Sequence, residues 1–379
     1  MAAEHLKMFQ AMQGLAAENE PALLATVVRV SGSAYRSLGA RMLILPNGQR
    51  IGSVSGGCIE GEMAKKAWWW TEGGRAYLRR YETSLEGDES GYGLACNGSI
   101  DVLVERISAG DVYSPLALLE TIYRRRVQGV IASVFEVEAD GKVSIRGRAV
   151  LAEDGTIRGD LSCDARSVVL PLMRVAILDG VSSRMAIDIE GSPCEVTLEF
   201  VQPPPQLVVC GAGFDAVPLV RFAADLGWRV LVCDGRADLA KPQRFPEANR
   251  VFALGLISDL KSIQDDGRTA CVIMTHSYEQ DYALLSYWLP RGLRYLGILG
   301  ARSRTREMLD QMDVPFDAAS VYAPAGLDIG SETPEEIALS IVAEIRACFA
   351  NRGGGSLRDR SGFIHLRIEQ AQAETTVAS

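Results

Sequence analysis

The sequence predicts an α/β protein: an N-terminal α/β domain with an internal duplication, then a C-terminal Rossmann-like domain on a parallel sheet. Three observations carry this. A glycine-rich turn, Gly211-Ala212-Gly213-Phe214-Asp215-Ala216, stands between an apolar run and a helical pattern. Strand-like and helix-like segments alternate after it, as a parallel sheet requires. The first two hundred residues match themselves when shifted by 107 positions.

The chain opens with Leu6, Phe9, Met12 and Leu15 at helical spacing, predicting an amphipathic helix over 6–19 that Pro21 ends. Residues 23–30 are apolar and β-branched and predict a buried strand, and 40–45 a second one. Asn47-Gly48 predicts a hairpin turn. Residues 51–54 lead into Ser55-Gly56-Gly57-Cys58 and a helix through Trp70. Residues 83–93 are acidic and contain glycine, which predicts a loop. Cys96-Asn97-Gly98 precedes a strand over 100–104.

The shift of 107 places Ala25-Thr26-Val27 on Ala132-Ser133-Val134, and Arg41 on Arg148. It also places Gly48 on Gly155, Gly52 on Gly159 and Ser55 on Ser162, with no gap. Leu116, Leu119 and Ile122 supply a helix ahead of the second copy, and 194–200 a closing strand. Residues 1–201 are therefore expected as two versions of one unit, about 6–107 and 113–201. Gln202-Pro203-Pro204-Pro205 forms a stiff connector, since consecutive prolines favour an extended chain.

The second domain is expected over 206–350. Residues 207–210 predict a strand and 229–233 the next, with G-x-G-x-x-A between them and Asp234 following the second. Strands are expected over 251–254, 270–275 and 295–299, and helices over 281–289, 303–312 and 334–349. The last helix has Thr333 as N-cap, Pro334 at N1 and Glu336 at N3, a capping box. Gly353-Gly354-Gly355-Ser356 opens a tail expected to be flexible over 351–379.

Composition narrows the function classes. A net charge of −9 argues against nucleic-acid binding by phosphate neutralisation. No apolar run approaches the roughly 20 residues needed to span a bilayer, and the first residues lack a signal-peptide layout. Eight cysteines without a CxxC pair predict thiols in a reducing cytoplasm, not a zinc ribbon.

The residues with chemistry concentrate in two places. Ser55, Gly56, Gly57 and Cys58 put a thiol at the start of a helix, whose N–H groups lower a cysteine pKa. Glu60 and Glu62 suit the first turn of that helix, and the glycine N–H groups suit an oxyanion. The aligned residues of the second copy are Cys163, Asp164 and Ala165, so neither glycine nor the thiol is repeated in place. An inert turn with a buried cysteine is the plain alternative. In the second domain, Gly211 and Gly213 suit a phosphate, although Asp215 competes for the same helix end. Asp234 suits a ribose hydroxyl and Arg236 a phosphate. His276, Gly300 and Arg302 follow later strands, at the edge where open α/β sheets bind ligands.

The motifs GSAYRSLGARMLI, SVSGGCIEGE, GAGFDAVPLV, MTHSYEQDYALL, YLGILGARSR and PAGLDIGSETPEEIALSIVAEI together resemble the XdhC/CoxI family, the xanthine dehydrogenase accessory factors. The resemblance covers most of 9–350. It departs at Phe214-Asp215, where members carry His-Val, at Tyr35, where many carry proline, and at Asn97, where many carry glycine. It implies a maturation factor that binds molybdenum cofactor, as molybdopterin or its dinucleotide form. Such a factor assists sulfuration of the cofactor and its insertion into xanthine dehydrogenase or a related molybdenum hydroxylase. It implies Cys58 as the leading cofactor contact, with Cys96 a second motif cysteine. A soft thiolate at Cys58 suits molybdenum or a sulfur donor. A cysteine desulfurase and a second copy of the chain are further expected partners. The competing class is an NAD(P)-dependent oxidoreductase with His276 as acid/base. A third is a docking protein that uses Trp68-Trp69-Trp70, although core packing with one exposed ring is the simpler expectation for these rings.

Overall fold

Alternation of side chains along the first strands decides how the N-terminal half is layered. The computed structural model describes residues 1–16, 20–32, 35–57, 59–83, 98–312 and 321–359. Residues Ala3–Pro203 form one compact unit, and a second runs from Pro204. The first contains α1 (Ala2–Leu15), β1 (Ala22–Gly32), β2 (Arg41–Ile44), β3 (Arg50–Gly52), α2 (Glu60–Trp70), β4 (Ala76–Thr83) and β5 (Gly98–Ile107). It continues with α3 (Pro115–Arg125), β6 (Gly129–Val137), β7 (Lys142–Ala152), β8 (Ile157–Gly159), α4 (Cys163–Asp179), β9 (Ser183–Ile189) and β10 (Ser192–Val201).

The order of elements repeats. Within the first copy the strands run β3-β2-β1-β5-β4, and within the second β8-β7-β6-β10-β9, all antiparallel. A short β4–β7 ladder, Ala76↔Val143 and Tyr77↔Lys142, joins them into one ten-stranded sheet. Because successive residues of a strand face opposite ways, Leu23, Ala25 and Val27 pack under α2 with Met42 and Ile44. Ala22 and Leu24 point to the other face, where α1 and α3 share a core of Met8, Phe9, Leu119 and Ile122. Covering Val130, Ala132 and Val134, α4 repeats the role of α2.

Among the buried ion pairs of the described residues that cross between the copies, two stand at matching positions. Arg41, on β2, grips Glu199 of β10 with two bonds of 2.7 and 2.5 Å. Its counterpart Arg148, on β7, bonds Glu105 of β5. Each arginine is therefore neutralised by the other copy's acid. A charge this deep is tolerated only when paired and hydrogen-bonded.

The second unit has β11 (Gln206–Cys210), α5 (Ala216–Asp225), β12 (Arg229–Asp234), β13 (Arg250–Ala253), β14 (Thr269–Ile273), α6 (Tyr278–Trp288), β15 (Tyr295–Ile298), α7 (Arg302–Gln311), β16 (Val321–Tyr322) and α8 (Pro334–Phe349). Its parallel sheet runs β13-β12-β11-β14-β15-β16, the Rossmann order. Helices α5 and α8 cover one face and α6 and α7 the other. Thr333 and Glu336 form the expected capping box.

Several expectations shift. The first helix buries His5, Met8, Phe9, Met12 and Leu15, while Leu6 is exposed. His5 is accepted in that core because its Nδ1 lies 2.8 Å from the Tyr123 hydroxyl of α3. Strands β3, β4, β8, β9 and β16 add to those read from the sequence. Of the three tryptophans on α2, Trp70 stacks on Tyr77 at 5.5 Å, Trp68 lies under Arg106, and Trp69 is 70% exposed. Among the described residues no helix is long and apolar enough to cross a membrane.

Candidate functional site

The two copies part at the same aligned serine. In the second, Ser162 caps α4 directly, its Oγ accepting from the Ala165 N–H at 3.2 Å, and the helix starts at Cys163. In the first, the chain beyond Ser55 passes through Gly56 at φ 95° and Gly57 at φ 123°, and α2 starts only at Glu60. Left-handed geometry at two successive positions is what the paired glycines supply.

Glu60 holds this loop. Its Oε1 accepts from Ser53 Oγ (2.7 Å) and from the N–H groups of Val54 (3.1 Å), Ser55 (2.8 Å) and Gly56 (3.2 Å). Its Oε2 accepts from Ser55 Oγ (2.6 Å) and the Gly57 N–H (3.0 Å). Burial alone would raise the Glu60 pKa, but the bonds from Ser55 and Ser53 outweigh it and hold the carboxyl at about 2. The N–H groups that the sequence offered to a ligand oxyanion are thus taken by a carboxylate of the same chain. Glu62 remains in the first turn and pairs with Lys66 at 2.8 Å.

Cys58, the candidate thiolate and molybdenum ligand, lies outside the described residues, as does Cys96. The chain on both sides of Cys58 is placed: the Gly57 N–H is bonded to Glu60, and Ile59 is wholly buried, its N–H 3.4 Å from Ser55 Oγ.

Beside the loop is a concavity of about 430 Å³ bordered by Glu4, Tyr35, Arg36, Arg50, Gly56 and Gly57. The Tyr35 ring is 68% exposed and lies where a Cβ on Gly56 would come within 2.9 Å of it. Arg36 pairs with Glu4 at 2.5 Å. Arg50 is exposed at the start of β3, with no carboxylate partner among the described residues. The sequence reading assigned no role to Tyr35, Arg36 or Arg50. Tyr35 and Arg36 had a signal in the motif GSAYRSLGARMLI, and Arg50 had only its proximity in sequence to the glycines.

In the second unit the predicted residues gather at the carboxyl ends of β11, β12 and β14. Gly211, at φ 132°, presses against the Met274 carbonyl, where a Cβ would come within 2.4 Å of the oxygen. Asp234, expected to face a ribose, is buried. Its Oδ2 accepts from the Ala212 N–H at 2.6 Å and Arg236 Nη2 at 2.8 Å, and its Oδ1 from the Arg236 N–H at 2.8 Å and Nε at 2.9 Å. The acid that would read a ribose is engaged in holding the glycine turn. The bonds to Arg236 and Ala212 overcome burial and lower its pKa. Asp215 makes no side-chain cap for α5; its Oδ2 lies 2.9 Å from Nε2 of His276 instead. Across the turn, His276 Nε2 is 3.9 Å from where a Cβ on Gly213 would stand. Gly300, at φ 125°, and Arg302, the first residue of α7, stand one strand further out, after β15. Among the described residues no three His, Cys, Asp or Glu side chains are arranged to hold a metal ion.

Comparison with known proteins agrees with this division. The family described as XdhC and CoxI matches residues 15–82, and the XdhC Rossmann domain matches 207–345. The chain is 31% identical over 335 residues to a probable xanthine dehydrogenase subunit of Bacillus subtilis (strain 168), covering 88% of this chain and 95% of that one. It is 32% identical over 112 residues to the molybdenum cofactor insertion chaperone PaoD of Escherichia coli (strain K12), covering 29% of this chain and 33% of that one. A crystal structure described as a xanthine dehydrogenase from Bacillus halodurans superposes with a TM-score of 0.72 at 28% identity, covering 92% of this chain and 98% of the other. From the two family matches and the near full-length relative, the chain belongs to the XdhC and CoxI family.

Proposed function

We propose that the protein is an accessory factor that binds molybdenum cofactor and delivers it to xanthine dehydrogenase or a related molybdenum hydroxylase. The observation that carries this reading is the divergence of the two copies at Ser55 and Ser162. One copy runs straight into a helix, while the other keeps a left-handed glycine loop, braced by a buried carboxylate, beside an open concavity. Glycines without a Cβ let the backbone come close to a ligand in such a concavity. The names of two relatives point to the same cofactor and enzyme class.

The residues present fit such a group. The concavity is within the size range of small-molecule sites, two glycines without Cβ open one side, and Arg36 and Arg50 suit an anionic phosphate. Cys58 would supply the soft ligand. When bound, the cofactor supplies the molybdenum and dithiolene sulfurs that the recipient enzyme needs. This chain's part is to bind and orient it. Glu60 fixes the path of residues 53–57, and with it the start of the segment carrying Cys58. Assistance in sulfuration, with a cysteine desulfurase as sulfur source, and action as a homodimer belong to the same proposal. The NAD(P) reading has less support, because Asp234 and the Ala212 N–H satisfy each other.

The test is purification from a host that makes the cofactor, followed by assay of bound molybdenum and of pterin released from the protein. Both should accompany the wild type in constant ratio, and a Cys58→Ala variant should carry less molybdenum. Wild-type protein devoid of pterin and molybdenum would refute the proposal.

A further inference from the structure

We propose that the concavity beside the glycine loop takes a flat heteroaromatic ring that bears a phosphate monoester, the ring lying on Tyr35 and the phosphate held by Arg50 and Arg36. The assignment rests on the cofactor reading above and names which part of the ligand these residues meet.

The electrostatics separate the groups around the cavity. Glu60 is an anion, but six donors from Ser53, Val54, Ser55, Gly56 and Gly57 already satisfy its two oxygens. Glu4 is balanced by Arg36. Arg50 contributes the positive charge left uncompensated among the described residues that border the cavity. A guanidinium presents a planar fork of donors that matches phosphate oxygens, and it is weakly hydrated for a cation. An incoming phosphate would meet Arg50 first. It can then compete with the single Glu4 carboxylate for Arg36, which comes from the same loop as Tyr35.

The backbone N–H groups are unsuited to that phosphate, since Glu60 occupies them. Anion recognition at this site therefore falls to side chains, and the glycines serve to bring the backbone close. Tyr35 supplies the apolar element. Its ring is 68% exposed, a large cost for an aromatic side chain with no partner. It is set against Gly56, where a Cβ would approach within 2.9 Å of the ring. Exposed aromatic faces of this kind stack heteroaromatic rings without requiring a particular sequence of hydrogen bonds.

The test uses a fluorescent pterin with a phosphate monoester on its side chain, and the same pterin after phosphatase treatment. Binding of each to the full-length protein is followed by quenching. The phosphorylated probe should bind about tenfold or more tightly than the other, as a charge-assisted contact implies. Arg50→Glu should abolish that difference, and added salt should weaken only the phosphorylated probe. Tyr35→Ala should weaken both probes by a similar factor of about five and reduce quenching. Both side chains are exposed, and amide exchange of 54–57 checks that the loop is intact in each variant. Equal binding of the two probes by the wild type would overturn the proposal. So would unchanged discrimination in an intact Arg50→Glu variant. Failure of the parent reading looks different: protein from a cofactor-making host would lack molybdenum while Arg50-dependent binding of the pterin phosphate persists. Conversely, molybdenum and pterin that co-purify equally with wild type and Arg50→Glu would refute the assignment and leave the cofactor reading standing.

Discussion

Replacing Glu60 by glutamine removes the charge that organises residues 53–57 and leaves a side chain of nearly the same shape. The amide nitrogen cannot accept, so either Ser55 Oγ and the Gly57 N–H, or the donors on the other oxygen, lose their acceptor. Two estimates bound the cost. Hydrogen bonds to charged groups contribute about 1.5–3 kcal/mol each when buried, but this loop is half open to water, which replaces part of the loss. Independently, the carboxyl falls from 4.5 to about 2 on folding, worth up to about 3.5 kcal/mol at roughly 1.4 kcal/mol per pH unit. Discounting for partial solvent access gives about 2 kcal/mol. Because the folded pKa is the lower one, this stability is fully present above pH 4.5 and is lost as pH falls towards 2. Amide exchange of Val54, Ser55, Gly56 and Gly57 is the sensitive assay, since it reports local opening. Protection should drop about 30-fold in Glu60→Gln at pH 7, with little change in the core strands. Unchanged protection at 54–57 would show that the loop is held by its own backbone preferences, and the bracing role would be withdrawn.

Other expectations follow from the same geometry. Arg41→Met strands Glu199 in the core and should cost about 3–5 kcal/mol in denaturation of the first unit; adding Glu199→Leu should recover a large part, whereas simple loss of packing would make the double variant worse. His5 is held neutral by burial, then by Arg41, the N-terminal amine and Arg36, which take its pKa from 6.5 to about 2. The unfolded chain binds that proton below pH 6.5 and the folded one does not, so stability should fall as pH drops below 6.5, by up to about 1.4 kcal/mol per unit. A His5→Phe variant should show a flatter melting-temperature profile between pH 6.5 and 5. Asp234→Asn places an amide against the Ala212 N–H and should cost about 2–3 kcal/mol, read by urea unfolding with Trp228 and Trp288 as reporters, both in cores of the second unit.

What the sequence revealed depended on whether the cause was local. Helix α8 announces both its ends, because Thr333, Pro334 and Glu336 make their contacts within one turn. The Rossmann order followed from the glycine turn and the alternation after it. Strand β4 was hidden because Arg79, Arg80 and Glu82 interrupt its apolar positions; pairing with β5 holds it, and of its described side chains only Ala76 and Tyr81 are buried. Edge strand β9 has no buried residue to mark it. The phase of α1 was misjudged because His5 counts as polar until Tyr123, far along the chain, is placed beside it. At the site, the glycines and the helix start were visible, and Glu60 was read as complementing the helix dipole. That its carboxylate turns back to collect the preceding five residues depends on loop geometry that no spacing rule supplies. Arg50 belongs to no motif, and Tyr35 was marked only as a departure from the family pattern; folding the hairpin against the loop brings them to one cavity.

The exchanged ion pairs, Arg41 with Glu199 and Arg148 with Glu105, have the form of a two-fold interface. A symmetric homodimer makes every contact across its axis twice, residue i of one protomer to j of the other and j to i. Arg41 with Glu199 and Arg148 with Glu105 make that reciprocal pattern within one chain. Two similar units within one chain are free of the constraint that both stay identical. One half can then keep Ser162 as a plain helix cap and act as a fixed partner, while the other accumulates the glycines, the thiol and the inward carboxylate that a dimer of identical chains would have had to carry in duplicate.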